Sequence, residues 1–347
     1  MTDFNDKFYS RLSNQKTQIG ENVPSPLFAD ILISEKCNLR CRKCYFWKNG
    51  VQGEVSIEEY KNFIVSLKDI VKMPFEINLG GGEPFLIDET LDLINFCVKH
   101  GFQPAVSTNA TLIDDDLAKK ISSSGLHRIS ISLESLNEKT HDFITGVEGS
   151  YKKLMRGLSL LRKYWKSGDV NVHTIIAEQN LRDIDKLGKW VSNDGFFTGI
   201  AFQALAQPFR TDIIEKWYLD KELGILWPKD LNLLNSIMDR LIDYKGLGYK
   251  IINPLAQLKA YKKYYNNPES FARPYRCNSG DYIFNINVFG LVHLCCFMPP
   301  IGNIKKNNIK DIWFSEEAKR ARNLMRNCQK SCNNILNCYF QEEESEA

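Results

Sequence analysis

The sequence lacks several features that would place the chain in a familiar class at once. It has no run of 18 apolar residues, so no segment is long enough to span a bilayer. Its formal net charge of +3 is too small to indicate nucleic acid or a membrane surface as a partner. The first residues lack the basic start and apolar core of a secretory signal, and no internal repeat is evident. These absences predict a cytoplasmic globular protein.

Cysteine is abundant instead. The chain has ten cysteines, and in the reducing cytosol such residues more often bind metal or take part in catalysis than form disulfides. Cys37, Cys41 and Cys44 lie within eight residues, directly after an apolar run. A closed zinc site needs four ligands, and the next Cys or His residues are Cys97 and His100. The triplet therefore predicts an iron–sulfur cluster in which three irons are held by thiolates and the fourth is open.

Six apolar runs of strand length predict a parallel sheet. Each pair of runs is separated by a stretch long enough for a helix, and parallel strands require such long crossovers. An α/β sheet of this kind is either open and doubly wound or barrel-like, and in both the ligand site lies at the carboxyl ends of the strands. The runs are Ala29–Ile33, Phe75–Leu79, Gln103–Val106, Arg128–Leu133, Val170–Ile176 and Phe196–Phe202.

This alternation is lost after about residue 203, so we expect more than one unit. With 347 residues, of which 43% are hydrophobic, the chain is long enough for about two domains. We expect an N-terminal arm over 1–28, a core over 29–205, a helical connection over 206–270 and a cysteine-rich domain over 271–347. Within the last of these, 282–294 is predicted to form a hairpin that turns at Phe289-Gly290, and 309–325 a helix.

The spacing Cys-x3-Cys-x2-Cys, with Asn-Leu-Arg between the first two cysteines and an aromatic residue after the third, resembles the radical S-adenosylmethionine (SAM) family. The resemblance implies a partial (β/α)6 TIM-like barrel and a [4Fe–4S] cluster whose open iron is chelated by SAM. It also implies one-electron cleavage of SAM to methionine and a 5′-deoxyadenosyl radical, which removes a hydrogen atom from the substrate. The alternative is a zinc knuckle or a chance cluster.

Three later segments resemble the family's SAM contacts. They are a Gly-Gly-Glu segment after the second run, a Ser-Thr-Asn segment after the third with Ala110 in place of the usual glycine, and a Ser-Leu-Glu segment in the fourth with Glu in place of Asp. Each alone would also fit an ordinary turn, a helix cap or a solvated strand face. By resemblance, the residues expected to contact SAM are Gly81, Gly82, Glu83, Ser107, Asn109, Ser132 and Glu134.

One family feature is missing. Family members often carry an Arg-Gly pair after the fourth strand, in which the arginine binds the SAM carboxylate, whereas this chain has Thr145-Gly146. A hydroxyl cannot replace a bidentate guanidinium contact. This leaves the carboxylate contact unassigned.

The tail resembles the auxiliary iron–sulfur domain called SPASM, or twitch in its shorter form. Cys277, Gly290 and Cys295 have the spacing of its opening, and three further cysteines follow near the end of the chain. Two four-thiolate clusters would need eight ligands, so the resemblance implies one auxiliary [4Fe–4S] cluster, most simply on the first four of the five cysteines, with the last able to replace either ligand before it. A structural zinc is the alternative. The five candidate ligands are Cys277, Cys295, Cys328, Cys332 and Cys338.

We therefore expect a radical SAM enzyme whose substrate is a ribosomally made peptide, changed by crosslinking, oxidation or epimerisation. Oxidation or rearrangement of a small metabolite or cofactor precursor is the first alternative, and a non-catalytic iron–sulfur or zinc-binding scaffold is the second. Cys97 and Cys296 are spare thiols, which an epimerase would need as hydrogen donors, although buried cysteines are more often core residues. Besides SAM and the substrate, the expected partner is an electron donor such as flavodoxin or ferredoxin.

Overall fold

The computed structural model describes residues 23, 25–48, 53–212, 214–269, 277 and 279–328. Within them, the six predicted strands form and lie parallel to one another in a single sheet. Buried apolar side chains explain why each run is extended, because a parallel sheet is covered on both faces. The strands are β1 Phe28–Ser34, β2 Glu76–Gly81, β3 Gln103–Thr108, β4 Arg128–Ser132, β5 Asp169–Ile176 and β6 Gly199–Ala204.

Helices connect consecutive strands, and their starting points follow local capping signals. Ser56 and Glu59 form a capping box at the first helix, and the Asp114 side chain accepts a hydrogen bond from the Leu117 N–H at the third. The helices of this half are α1 Ile57–Ser66, α2 Thr90–Lys99, α3 Asp115–Ser123, α4 Glu138–Thr145, α5 Ser150–Tyr164 and α6 Leu181–Asn193. Two more, α7 Leu231–Gly246 and α8 Leu255–Asn266, follow β6.

The sheet stays open, which confirms the predicted partial barrel. Its strand order is β6-β5-β4-β3-β2-β1-β7-β8-β9, where the last three strands come from the tail. They are β7 Ile283–Ile286, β8 Leu291–His293 and β9 Gly302–Asn303. Since β7 pairs with β1 in parallel, the tail extends the edge of the barrel sheet itself. The sequence pattern did not predict this continuity.

The tail hairpin forms as predicted, with antiparallel β7 and β8 joined through Gly290 at φ +81°. The helical stretch expected over 309–325 forms as two helices rather than one. The chain forms α9 Ile309–Trp313 and α10 Glu316–Arg326, because Ser315 accepts a hydrogen bond from the Ala318 N–H and starts a new helix.

The main apolar core lies between the helices and the sheet and continues into the tail. The barrel interior is more polar. Asn78 donates to Asp30 at 2.7 Å, and Arg128 pairs with Glu76, so these interior charges have partners. In the described part of the chain, no helix is both long and apolar enough to cross a bilayer.

Candidate active site

The loop that carries Cys37, Cys41 and Cys44 leaves the carboxyl end of β1, and backbone hydrogen bonds fix it on two sides. From the end of β2, the N–H groups of Gly82 and Glu83 donate to Ser34 and Lys36 carbonyls at 2.8 Å each. From the other side, the loop donates to the last turn of α4, with Arg40 N–H to Thr145 O at 3.0 Å and Arg42 N–H to Ile144 O at 2.9 Å. We call residues 37–44 the cluster loop.

Three glycines allow this close approach. A Cβ on Gly81 would lie 2.1 Å from the Ser34 carbonyl oxygen, and one on Gly82 would lie 2.0 Å from that of Lys36. A Cβ on Gly146, which ends α4 at φ +71°, would lie 2.1 Å from the Arg40 carbonyl oxygen. Real Cβ atoms do not tolerate such distances. The glycine of the Thr145-Gly146 pair is therefore explained by backbone packing on the cluster loop.

The cluster loop forms one wall of a cavity at the carboxyl ends of the strands. Apart from Glu83, every residue expected from the sequence to hold the first cluster or SAM lines this cavity. The lining residues are Cys37, Leu39, Cys41, Lys43, Cys44, Phe46, Trp47, Gly81, Gly82, Ser107, Thr108, Asn109, Ser132, Glu134 and Thr145. Residues far apart in the sequence thus meet at the place where α/β folds bind ligands.

Glu83 is the exception, because its carboxylate is buried beside β3. It accepts hydrogen bonds from the Thr108 hydroxyl at 2.7 Å and from the N–H groups of Asn109 and Phe85 at 2.8 and 3.3 Å. Burial raises the pKa of Glu83 to about 7, although these donors oppose the shift. The side chain joins the ends of β2 and β3 and so sets the position of Asn109.

Asn109 is in turn tied to the cluster loop. Its side-chain NH₂ donates to Asn38 Oδ1 at 2.9 Å, and its own oxygen accepts from the Thr111 hydroxyl at 2.6 Å. Asn38 closes the triangle by donating to the same hydroxyl at 2.8 Å. Ala110 adopts φ +58°, the left-handed conformation that favours the glycine usual at this position. Sequence reasoning missed Asn38 and Thr111.

Glu134 also has protein partners on both carboxylate oxygens. One oxygen forms an ion pair with Lys43, and the other accepts from the Ile175 N–H at 3.1 Å. Burial works against the charge on Lys43, but Glu134 and the nearby Cys41 outweigh it, so the pKa of Lys43 is raised. Sequence reasoning did not single out Lys43, although it lies inside the triplet. It is the one cation among the described residues that line the cavity.

Thr145 and Ser130 have mainly structural contacts. The Thr145 hydroxyl donates to the His141 carbonyl at 2.9 Å and shares a 2.7 Å hydrogen bond with Ser150, which satisfies it within the protein. Ser130, on the same strand as Ser132, accepts a hydrogen bond from Arg128 at 2.8 Å and is buried. The contact for a SAM carboxylate stays unassigned at Thr145.

The chain after β6 contacts two residues that line the cavity, Cys44 and Phe46. Phe209 forms a parallel bridge with Cys44, and its ring stacks on Phe46 with the centroids 5.7 Å apart. The next residue, Arg210, adopts φ +65° and pairs with the buried carboxylate of Glu35 at the end of β1. The segment after β6 thus contacts the loop after β1, although their strands do not pair.

Residues close in sequence to three tail cysteines pack against one another around Gly280. A Cβ on Gly280, three residues after Cys277, would lie 2.8 Å from the Met325 sulfur and 3.3 Å from Leu294 Cβ. Cys295 follows Leu294, and the Cys328 N–H donates to the Met325 carbonyl at 3.1 Å. Arg322 reinforces the contact through a 3.0 Å hydrogen bond to the Gly280 carbonyl. The remaining candidate ligands, Cys332 and Cys338, lie outside the described residues.

Two family models match the chain over separate stretches. Residues 31–191 match the radical SAM superfamily, and residues 277–339 match the iron–sulfur cluster-binding domain SPASM. The chain carries a radical SAM domain followed by a SPASM domain. The first implies SAM and a [4Fe–4S] cluster, and the second implies auxiliary iron–sulfur binding.

Related proteins differ in their substrates. An AdoMet-dependent heme synthase of Methanosarcina barkeri is 24% identical over 83% of this chain and 82% of its own length. The subtilosin biosynthesis protein AlbA of Bacillus subtilis is 30% identical over 52% of this chain but only 40% of its own length. A Fe-coproporphyrin III synthase of M. barkeri is 32% identical over 44% of this chain, and the matched stretch covers only 37% of that protein.

Two solved structures share the fold. SuiB of Streptococcus suis, bound to its precursor peptide SuiA, covers 99% of this chain and 80% of its own at a TM-score of 0.67 and 14% identity. The anSMEcpe enzyme with bound AdoMet and a peptide covers 92% and 91%, at a TM-score of 0.65 and 19% identity. At these identities the likeness shows the architecture alone.

The donor set at the cluster loop fits the radical SAM cluster. Burial raises the pKa of Cys37 to about 11, and burial is also the main cause of the raised pKa values of Cys41 and Cys44. Thiols kept protonated in this way release their protons when a metal binds. Over the described ranges, no three Cys, His, Asp or Glu side chains could hold a single metal ion. A [4Fe–4S] cluster takes one thiolate per iron, so the three thiols of the loop could hold three of its irons.

Proposed function

We propose that the chain is a peptide-modifying radical SAM enzyme in which Cys37, Cys41 and Cys44 hold the cluster that cleaves SAM. The observation that carries the proposal is the cavity shared by the triplet and the predicted SAM contacts. When bound, the cluster and SAM supply a 5′-deoxyadenosyl radical that abstracts a hydrogen atom from the substrate.

The residues of the chain would divide this work among them. The three thiols lose their protons and become iron ligands. The glycines Gly81 and Gly82 bring backbone polar groups to the cavity wall, where they meet the methionine part of SAM. Leu39, Phe46 and Trp47 line the same space with apolar surface, which excludes water from a reactive carbon radical.

Polar side chains would orient SAM from the opposite wall. Ser107, Asn109 and Ser132 line the cavity from the ends of β3 and β4. Asn109 is held by its hydrogen bonds to Asn38 and Thr111, so binding SAM would require little rearrangement. Glu134 acts through Lys43, and Glu83 acts through the backbone of Asn109.

The charge of the cavity supports a peptide over the porphyrins of the heme synthase relatives. Porphyrins of this class carry several propionate carboxylates, which proteins bind with cations. Among the described lining residues the single cation is Lys43, and it is already paired with Glu134. AlbA, a bacteriocin biosynthesis protein, is among the relatives, and SuiB with its precursor peptide shares the fold. A neutral peptide segment fits this lining better.

The heme synthase similarity favours a second candidate, which is modification of a tetrapyrrole. It rests on the 24% identity that extends over 83% of this chain. An enzyme of that kind would place its carboxylate-binding cations outside the described cavity lining.

One anaerobic assay tests both candidates. Reconstituted, reduced protein should release 5′-deoxyadenosine from SAM, and no release at all would defeat the enzyme proposal. A peptide encoded beside the gene should then lose two hydrogen masses or exchange a Cα hydrogen for solvent deuterium. Turnover of Fe-coproporphyrin III with no change in the peptide would favour the second candidate.

A further inference from the structure

The outer side of the cluster loop presents cations and aromatic rings to solvent. Arg40 and Lys48 are exposed, and Arg42 and Trp47 are half-buried. The Arg40 guanidinium lies 5.3 Å from the centre of the Trp47 ring, and that of Arg42 lies 4.4 Å from the centre of the Phe143 ring. We call Arg40, Arg42, Trp47 and Lys48 the basic loop face.

The positive charge of this face is largely uncompensated. Among the described residues, neither Arg40 nor Arg42 has a carboxylate partner, and both donate to backbone carbonyls instead. Lys48 lies 3.3 Å from Glu222, whose side chain is 73% exposed, so that pair is weak. Three carboxylates near the triplet are buried: Glu35 is paired with Arg210, Glu134 is paired with Lys43, and Glu83 accepts hydrogen bonds from Thr108 and Asn109.

The face has a clear edge. Beyond Phe143, the exposed surface is lined by Glu138, Asp142 and Glu148 together with Lys139, so its sign reverses. A partner that covers the basic loop face is therefore oriented by charge as well as attracted by it.

The cluster loop has two sides, and they differ in what they can meet. Its cavity side contributes the three cysteines, Leu39 and Lys43 to the space assigned to SAM and substrate. Arg40, Arg42 and Lys48 do not line that space, whereas the Trp47 side chain borders both the cavity and the basic loop face. A protein that contacts the three cations therefore does not occupy the cavity assigned to SAM.

We propose that the basic loop face is the docking surface for an acidic one-electron donor protein. This inference rests on the proposed SAM cleavage, which consumes one electron per event. The donor is oxidised by one electron and the cluster site is reduced by one, with no proton transferred. Arginine and aromatic residues are enriched at protein interfaces, and uncompensated cations raise the association rate with an acidic partner. A small, transient contact of this kind is typical of redox pairs.

The test compares two reductants for the same full-length, cluster-loaded protein. Absorbance bleaching of the cluster by reduced flavodoxin, an acidic protein donor, is followed by stopped flow in low and high salt. Sodium dithionite is the second reductant, and it needs no docking surface. We expect Arg42→Glu/Lys48→Glu to slow reduction by flavodoxin about tenfold or more in low salt, with the difference shrinking in high salt. Reduction by dithionite should stay within about twofold of the unchanged protein.

Controls make each outcome decisive. Lys319→Glu reverses a charge on α10, where the lysine is 68% exposed, and should leave both rates unchanged. The neutral pair Arg42→Gln/Lys48→Gln should give a smaller loss with flavodoxin alone, and it replaces the charge reversal if that variant does not fold. An unchanged flavodoxin rate, or an equal loss with both reductants, overturns the docking role. Failure of unchanged protein to form 5′-deoxyadenosine with dithionite would instead refute the proposed function.

Discussion

Two groups of cysteines lie near opposite ends of the described chain. The first group lies within one short loop, whereas the second is spread over a much longer stretch of sequence. The cluster loop is eight residues long, and the ends of β2 and α4 hold its backbone in place. The three described tail cysteines lie on both sides of a hairpin and beyond α10, and residues next to them in the sequence pack around Gly280. The comparison teaches that a short motif can rely on backbone contacts, whereas a dispersed ligand set depends on tertiary packing.

The largest expected effect separates the two sites by function. Cys37→Ala/Cys41→Ala/Cys44→Ala should reduce 5′-deoxyadenosine formation to background, because no thiolate remains to hold the first cluster. The same variant should keep about four irons per chain if the tail holds one auxiliary cluster. Anaerobic reconstitution, iron analysis and product assay measure this.

The reciprocal variant, Cys277→Ala/Cys295→Ala, should lose about four irons per chain and still cleave SAM. Zinc in place of iron in the triplet variant would contradict the auxiliary cluster. Loss of all iron in either variant would show that the two sites are not independent.

A second prediction compares how tightly the two regions are packed. Gly82→Ala places a Cβ 2.0 Å from the Lys36 carbonyl oxygen, and Gly146→Ala places one 2.1 Å from that of Arg40. Each change should therefore lower the free energy of unfolding by about 3 kcal/mol or more. Gly290→Ala also has positive φ, but its Cβ would meet the Asn303 and Ile304 side chains at 3.0 Å. That change should cost only about 1–2 kcal/mol.

Urea unfolding of the cluster-free proteins measures all three glycine variants. A loss for Gly290→Ala as large as that for Gly82→Ala would remove the distinction between backbone and side-chain packing on which the comparison depends.

The smallest expected effect concerns the Lys43–Glu134 pair beside the triplet. Lys43→Met leaves the buried Glu134 carboxylate without its cation, and because Lys43 is partly exposed we expect a loss of about 2–3 kcal/mol in unfolding free energy. Lys43→Met/Glu134→Gln should recover about half of it or more, since no buried charge remains.

Lys262→Met is the matched control for that pair. It breaks the ion pair with Asp239, whose side chain is 58% exposed, and should cost less than about 0.5 kcal/mol. If thermal unfolding shows the double variant to be no better than Lys43→Met alone, the pair is not what holds this wall of the cavity.

The strands and the first site were predictable because their signals are local. Six apolar runs predicted six parallel strands, and Ser56 with Glu59 three residues later has the capping-box spacing that the structure shows at the start of α1. The cysteine triplet was recognisable from its spacing, and the glycine-rich end of β2 from its resemblance to the Gly-Gly-Glu segment of the family. Each of these signals lies within a few residues, which is the range over which sequence patterns act.

The missed features depend on pairings that are distant in the sequence. The sequence of Ile283–Ile286 does not indicate that this strand pairs with β1. Likewise, the sequence around Lys43 does not indicate that its partner is Glu134, just beyond the end of β4. Asn38 and Thr111 are ordinary polar residues until the fold brings them to Asn109. Such pairings follow from tertiary packing, for which a single sequence carries no periodic signal.

The parallel pairing of β7 with β1 bears on how the chain is made. Phe28 pairs with Ile283, so during synthesis β1 leaves the ribosome long before the strand that covers its outer edge. Until then, β1 has a row of unpaired N–H and C=O groups beside the cluster loop, and such edges invite pairing with other chains. The nascent barrel is therefore open to pairing at the β1 edge until the tail completes the sheet.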